Sequence, residues 1–231
     1  MLAASPIRSA LVIAPHADDE VIGAGGLIAR LTGGGVPVTV LYVVVDGFHH
    51  YGLDRLATLD QRQQEIAAVA GILSFEYEVA YQGQDLIEKL DTLPQRDLVD
   101  LFEAKLNQHR PDLLLLPHGI DYDQDHGACY RAAFAAARPI PEALGKFFPR
   151  HVLGYESPKL GWSERPFHPA MYWDVSREIE TKCQALAAYR TQLRPAPHLR
   201  SLDSIRDLAR SRGREAGVEF AEAFSVLRWV A

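Results

Sequence analysis

Two short stretches of this chain gather side chains able to hold a metal ion or move a proton. Residues 15–20 read PHADDE and residues 118–126 read HGIDYDQDH. Imidazole together with carboxylate suits zinc, and a catalytic zinc site keeps one position open for water. The first stretch offers one imidazole, one carboxylate to bind the ion, and a second carboxylate free to act as a base. Helix capping competes as an explanation, because acids are favoured in a first turn and Asp18 or Asp19 could be an N-cap. Capping accounts for one or two acids, but not for His16 or for the carboxylate doublet. In the second stretch, His126 could simply start a helix beside an N-capping Asp125, and His118 could be a solvent-facing loop residue.

Position in the chain favours the chemical reading. Residues 10–14 (ALVIA) form a continuous apolar run long enough for a buried strand and too short for a helix. Pro15 ends it, and Val21, Ile22, Leu27, Ile28 and Leu31 follow at helical spacing up to the glycines at 33–35. Residues 36–45 are β-branched and read as a central parallel strand ending at Asp46-Gly47. Helices are expected over 58–70 and 95–109, with a short strand at 75–80 between them. Residues 48–56 read as a loop near the site. A fourth buried strand at 111–117 delivers the second cluster, and His126 opens a helix running to Arg138. A late strand at 171–175 and a helix at 176–190 follow. Alternating strands and helices give a Rossmann-like α/β fold, a mostly parallel sheet with helices on both faces. Both clusters then meet at the carboxyl edge, where such sheets build their sites.

At 231 residues, 48% hydrophobic and 23% charged, the chain can bury one sizeable core, and residues 1–231 are expected to be a single domain. The net charge of -6 argues against a nucleic-acid or anionic membrane surface. Cys129 and Cys183 are too few for a disulfide framework and are expected to be small buried hydrophobes in a reducing cytoplasm. No signal-like or membrane-spanning run is present in the sequence.

PHADDE after a first strand, IGAGG on the next helix and DYDQDH before a later helix together resemble the LmbE-like, or PIG-L, deacetylase superfamily. The likeness extends to QRQQEIAAVAGIL, RPDLLLLP, the K-x-x-A-L-x-x-Y segment from Lys182 and AEAFSVLR. It implies a zinc-dependent N-deacetylase acting on an N-acetylated amino sugar or its glycoconjugate. By position it implies His16, Asp19 and His126 as zinc ligands and Asp18 as general base. It also implies Arg62 as a residue facing substrate, against the competing reading of an Arg62–Glu65 helix pair.

Two departures stand out. Ala17 replaces a usual proline. Asp123 stands where the family's HPDH histidine assists the oxyanion, and a carboxyl donates there only if protonated. Crowding by Asp121 and Asp125 is expected to keep it so, with His118, Tyr122 and His49 as other donors. Asp125 is expected to orient His126 from behind. Asp46 and Asp85 could bind sugar hydroxyls or merely form turns. Trp162, in the stretch 155–168, could stack on a sugar, on a partner or in the core. Residues 201–214 read as a solvated helix. The chain's expected partner is a small molecule, with a homo-oligomer left open. A zinc amidase of a non-sugar conjugate, or an impaired sugar-binding relative, is the alternative. A nucleotide-binding domain is disfavoured, since Asp18 and Asp19 occupy the turn that would have to attract a pyrophosphate.

Overall fold

The computed structural model describes residues 7–49 and 56–230. In chain order the elements are β1 (Ala10–Ala14), α1 (Asp19–Gly33), β2 (Val38–Val45), β3 (Phe48–His49), β4 (Leu56–Ala57), α2 (Leu59–Leu73), β5 (Glu76–Gln82) and α3 (Gln95–His109). They continue with β6 (Leu113–Pro117), α4 (Gln124–Ala136), β7 (His151–Tyr155), β8 (Met171–Asp174), α5 (Ile179–Ala188), α6 (Leu202–Ala216) and β9 (Ala221–Trp229). Seven strands form one sheet in the order β5-β2-β1-β6-β7-β9-β8, with β9 antiparallel to both of its neighbours. The expected mostly parallel α/β sheet is what the chain forms.

Strand β1 shows why both faces must be covered. Ala10, Val12 and Ala14 join one core with residues of α1, α2 and α5, whereas Leu11 and Ile13 join the other with residues of α3 and α4. Alternation along one wholly buried strand thus feeds two apolar layers. From β1 the chain winds outward to β2 and β5, then crosses to β6 on the other side of β1. That reversal opens a crevice at the carboxyl ends of β1 and β6, the place where open α/β sheets bind ligands.

Helix α1 is broken at Ala24, whose φ of -146° is not helical. Lys182 Nζ donates to Ile22 O at 2.9 Å, and Glu222 accepts from Gly26 N and Leu27 N, each at 2.8 Å. The buried Lys182–Glu222 pair therefore caps both half-helices at the break. Gly23 is required there because a Cβ would stand 2.2 Å from the Tyr155 ring. The IGAGG sequence thus serves a close crossing that lets the first half-turn present Asp19 at the crevice.

The sequence reading missed β7 and the pairing role of β9. The polar segment 201–214 is mostly the amphipathic α6, which buries Ile205 and Ala209. His50, Tyr51, Asp54 and Arg55 lie outside the described residues, as does the side chain of His49. Both cysteines are free and buried. Among the described residues, no helix is long and apolar enough to cross a membrane.

Candidate active site

The turn after β1 supplies His16, Asp18 and Asp19; the loop after β6 and the start of α4 supply Asp121, Asp123, Asp125 and His126. Because β1 and β6 pair directly, the two clusters meet. Asp19 Oδ2 accepts from His16 N at 2.9 Å and lies 3.4 Å from His16 Nδ1 and 3.1 Å from His126 Nε2. One donor atom from each of His16, Asp19 and His126 falls within 4.8 Å of the others. Bonds of about 2.0–2.1 Å to a tetrahedral ion place ligand atoms about 3.3 Å apart, so Asp19 already stands near ligand spacing from both imidazoles. The N, O, N donor set fits zinc.

His16, Asp123 and Asp125 meet the same distance criterion. Their oxygens are otherwise engaged. Asp125 accepts from Glu88 N at 2.7 Å and Leu90 N at 2.8 Å, and Asp123 pairs with Lys159. The first trio is the better ion site.

Carboxylates stand behind each imidazole. His16 Nε2 donates to Asp125 Oδ2 at 2.8 Å, leaving Nδ1 toward Asp19. His126 Nδ1 lies 2.9 Å from Asp121 Oδ2, leaving Nε2 toward Asp19. The expectation that Asp125 orients His126 is therefore corrected: Asp125 backs His16, and Asp121 stands behind His126. Nor is Asp125 the N-cap of α4. Asp123 holds that position and accepts from Asp125 N at 3.1 Å.

The electrostatics express a demand for positive charge. Burial lowers the His16 pKa, but hydrogen bonds to Asp125 and Asp19 outweigh it and raise it to about 10. Burial also lowers that of His126, and Asp19 with Asp121 raises it to about 9. Asp18 is pushed upward by burial and by the neighbouring Asp19 charge, against the pull of Arg200 and Arg62. Its Oδ2 is buried and has no hydrogen-bond partner among the described residues, with Arg200 Nη1 at 3.6 Å. Asp18 is also strained, at φ 131° and ψ -22° in the N-cap position of α1, and its side chain makes no capping bond. Such strain collects where surroundings over-determine a functional group.

Asp123 differs most from expectation. Lys159 Nζ lies 2.7 Å from its Oδ2, and no carboxyl proton is needed to relieve crowding. Burial favours the neutral acid, but His126, His16 and Lys159 together hold its pKa well below the ordinary range. Its Oδ2 therefore serves as an acceptor for the Lys159 ammonium.

Arg62 is buried and lines the cleft, held by Ala17 O at 2.7 Å and Thr191 Oγ1 at 3.2 Å, with Glu65 at 3.4 Å. The helix pair and the place at the cleft coexist. Asp46 uses its oxygens on Gly47 N and Asp85 N, while the Asp85 side chain pairs with Lys89 in solvent. Neither lines the cleft around His16. Trp162 is 79% exposed and flanks a separate, wider cleft of about 830 Å³ shared with Tyr122 and with Asp121, the residue behind His126. His118 Nδ1 accepts from Ile120 N, and its ring packs edge-on to Phe167.

Sequence reasoning passed over Lys159, Arg200 and Gln192, which also line the cleft. Lys159 sits in a single 3₁₀ turn after β7, and Gln192 and Arg200 in the segment after α5, where periodicity carries no signal. Glu20, read as a first-turn acid, is instead fully buried against Tyr189 Oη at 2.6 Å, and burial raises its pKa to about 7.

Residues 11–137, more than half of the chain, match the PIG-L family, described as GlcNAc-PI de-N-acetylase. The chain belongs to the PIG-L family. The Escherichia coli (strain K12) protein described as uncharacterized deacetylase YaiS is 26% identical over 191 residues, covering 80% of this chain and 91% of that one. Among solved structures, the N,N'-diacetylchitobiose deacetylase of Pyrococcus horikoshii matches this PIG-L chain with a TM-score of 0.70 at 20% identity, covering 96% of this chain and 84% of the other. GalB, the 4-carboxy-2-hydroxymuconate hydratase of Pseudomonas putida KT2440, matches with a TM-score of 0.76 at 21% identity, covering 97% and 98%. At such identities the structural likeness shows the shared fold. The reaction must be argued from the site.

Proposed function

We propose that residues 1–231 act as one zinc-dependent N-deacetylase domain that hydrolyses the acetamide of an N-acetylated amino sugar or its conjugate. The observation that carries this reading is the meeting of His16, Asp19 and His126 beside a buried Asp18 oxygen that lacks a hydrogen-bond partner among the described residues. Membership of a family described as a de-N-acetylase supports it. The deacetylase on N,N'-diacetylchitobiose, which shares the fold, supports the sugar class.

Held by His16, Asp19 and His126, zinc supplies a Lewis acid for the amide carbonyl and lowers the pKa of water toward ~7. Asp18 takes the proton of the attacking water as its oxygen bonds to the carbonyl carbon. The carbonyl π pair moves to the oxygen. As the oxygen pair re-forms the C=O bond, the C–N bond breaks with its electron pair going to nitrogen, and Asp18 returns the proton; the free amine is released with acetic acid, which ionises to acetate. Arg200 faces Asp18 and pulls its pKa down against the burial that raises it. Arg62 fixes the turn through Ala17 O and offers a cationic wall to the acyl side. In this reading the rest of a glycoconjugate extends toward the separate wide cleft beside Trp162 and Tyr122.

The test is a deacetylation screen of N-acetylglucosamine, its oligomers and its conjugates with zinc-loaded and zinc-stripped protein. Acetate release that depends on zinc is expected with at least one of these. Acetate release from non-sugar amides alone would overturn the sugar assignment.

A further inference from the structure

An amide hydrolase must stabilise the negative charge that develops on the carbonyl oxygen, and Asp123 Oδ2 is already taken up as the acceptor of Lys159 Nζ at 2.7 Å. We infer that Lys159 is the hydrogen-bond donor to this oxygen, held in place by Asp123 as a positioning residue; the inference rests on the deacetylase reading. Lys159 comes from the loop just after β7, so a third strand end reaches the site. The loop is fixed by Ser157, whose Oγ accepts from Lys159 N at 3.1 Å. The ammonium lies 2.7 Å from Asp123 Oδ2 and 3.3 Å from His126 Nε2, the nitrogen that faces Asp19. It lines the same cleft as Asp18 and Arg62. An ammonium has three donor hydrogens and no acceptor. One is used on Asp123, and a cation beside the atom that would hold an ion can meet a substrate oxygen there.

Among the described residues, the other candidate donors are less well placed. His118 is packed against Phe167 and uses Nδ1 to accept from Ile120 N, and Tyr122 is 55% exposed in the wide cleft. Arg62 is tied to Ala17 O, Thr191 and Glu65, and Arg200 donates to Gln192 at 2.6 Å. The Asp123–Lys159 pair thus gives a reason for an acid at position 123. Its carboxylate orients a cation that does the donating. Lys159 keeps its protons throughout, and the proton transfers remain with Asp18.

The experiment compares zinc-loaded wild type with Lys159→Met, Lys159→Arg and Asp123→Asn. Readouts are zinc per chain, kcat and KM on whichever N-acetyl substrate the screen yields, and the Kd of acetohydroxamate, an acetyl compound whose carbonyl oxygen probes the donor without turnover. Losing one oxyanion donor costs about 10²–10³ in kcat. Lys159→Met is therefore expected to keep zinc, lose about a hundredfold in kcat with KM little changed, and bind acetohydroxamate at least about tenfold more weakly. Lys159→Arg should recover part of both, and Asp123→Asn should lose part of both. Removing a cation beside the ion should also leave zinc affinity equal or tighter. Lys159→Met with wild-type kcat and wild-type acetohydroxamate affinity would overturn the inference, as would loss of zinc in that variant. Absence of acetate release by wild type would instead sink the deacetylase reading. The acetohydroxamate comparison would still decide whether Lys159 donates.

Discussion

Asp125 and His16 stand 109 positions apart in the chain, yet Asp125 Oδ2 accepts from His16 Nε2 at 2.8 Å. The same carboxylate accepts from Glu88 N and Leu90 N, so one buried side chain ties the β1 turn, the start of α4 and the segment after β5. It fixes which imidazole nitrogen faces Asp19. A carboxylate in this place sets both the ring orientation and the basicity of a metal-binding histidine.

Asp125→Ala is accordingly expected to weaken zinc binding by about 10–100-fold, the usual cost of removing such a partner. It also leaves the buried Leu90 N–H unpaired, at about 1–3 kcal/mol, and removes the acceptor of the partly buried Glu88 N–H. Competition titration with a chelator and urea unfolding of the metal-free protein measure the two effects. Unchanged zinc affinity would show that His16 needs no orientation by Asp125.

Zinc uptake should be strongly pH-dependent. In the metal-free protein His16 is raised to about 10 and His126 to about 9, so both carry protons at neutral pH. Binding requires neutral imidazoles, and about two protons should leave per zinc ion near pH 7.5. Isothermal titration in buffers of different ionisation enthalpy counts them. The sign for folding follows from the same values. Both pKa values lie above the ordinary ~6.5, so the histidines' stabilisation is full below that pH and is lost as pH rises through 9 to 10. Metal-free protein should weaken over that window. A buffer-independent heat would mean that the imidazoles are already neutral.

Much of this site was legible because its residues follow strands. The runs at 10–14 and 111–117 announced β1 and β6, and the βα alternation put both clusters on one edge. What stayed hidden depends on pairing that no periodicity records. Which carboxylate backs which histidine is set by the stagger between the β1 turn and the start of α4, so Asp125 and Asp121 could not be ordered by spacing. Strand β7, with Gly154 in a five-residue run, gave too weak a pattern to read, and Lys159 was lost with it. Crowding at 121–125 suggested a protonated acid because the cation opposite Asp123 was unseen. The glycines of α1 gave no sign of a break in the helix. Their setting is a break held by Lys182 and Glu222, residues about 160 and 200 positions away.

The strained Asp18 separates catalytic role from stability. A general base at this position should tolerate Asp18→Asn with zinc retained, since Asp18 is not one of the three ligand residues, while turnover falls by about 10²–10⁴. Asparagine has the same shape as aspartate and replaces it without changing what is packed at φ 131°, so folding should be little disturbed. Asp18→Gly relieves both the φ of 131° and the burial of a carboxylate. Strain of this kind costs of the order of 1–3 kcal/mol, so the glycine variant should unfold at higher urea than wild type although it is inactive. Zinc content, kcat and the urea midpoint, taken on both variants, test the assignment together. Loss of zinc in Asp18→Asn would exchange the roles of Asp18 and Asp19. A glycine variant that is less stable than wild type would mean that Asp18 holds the turn together and is no strained base.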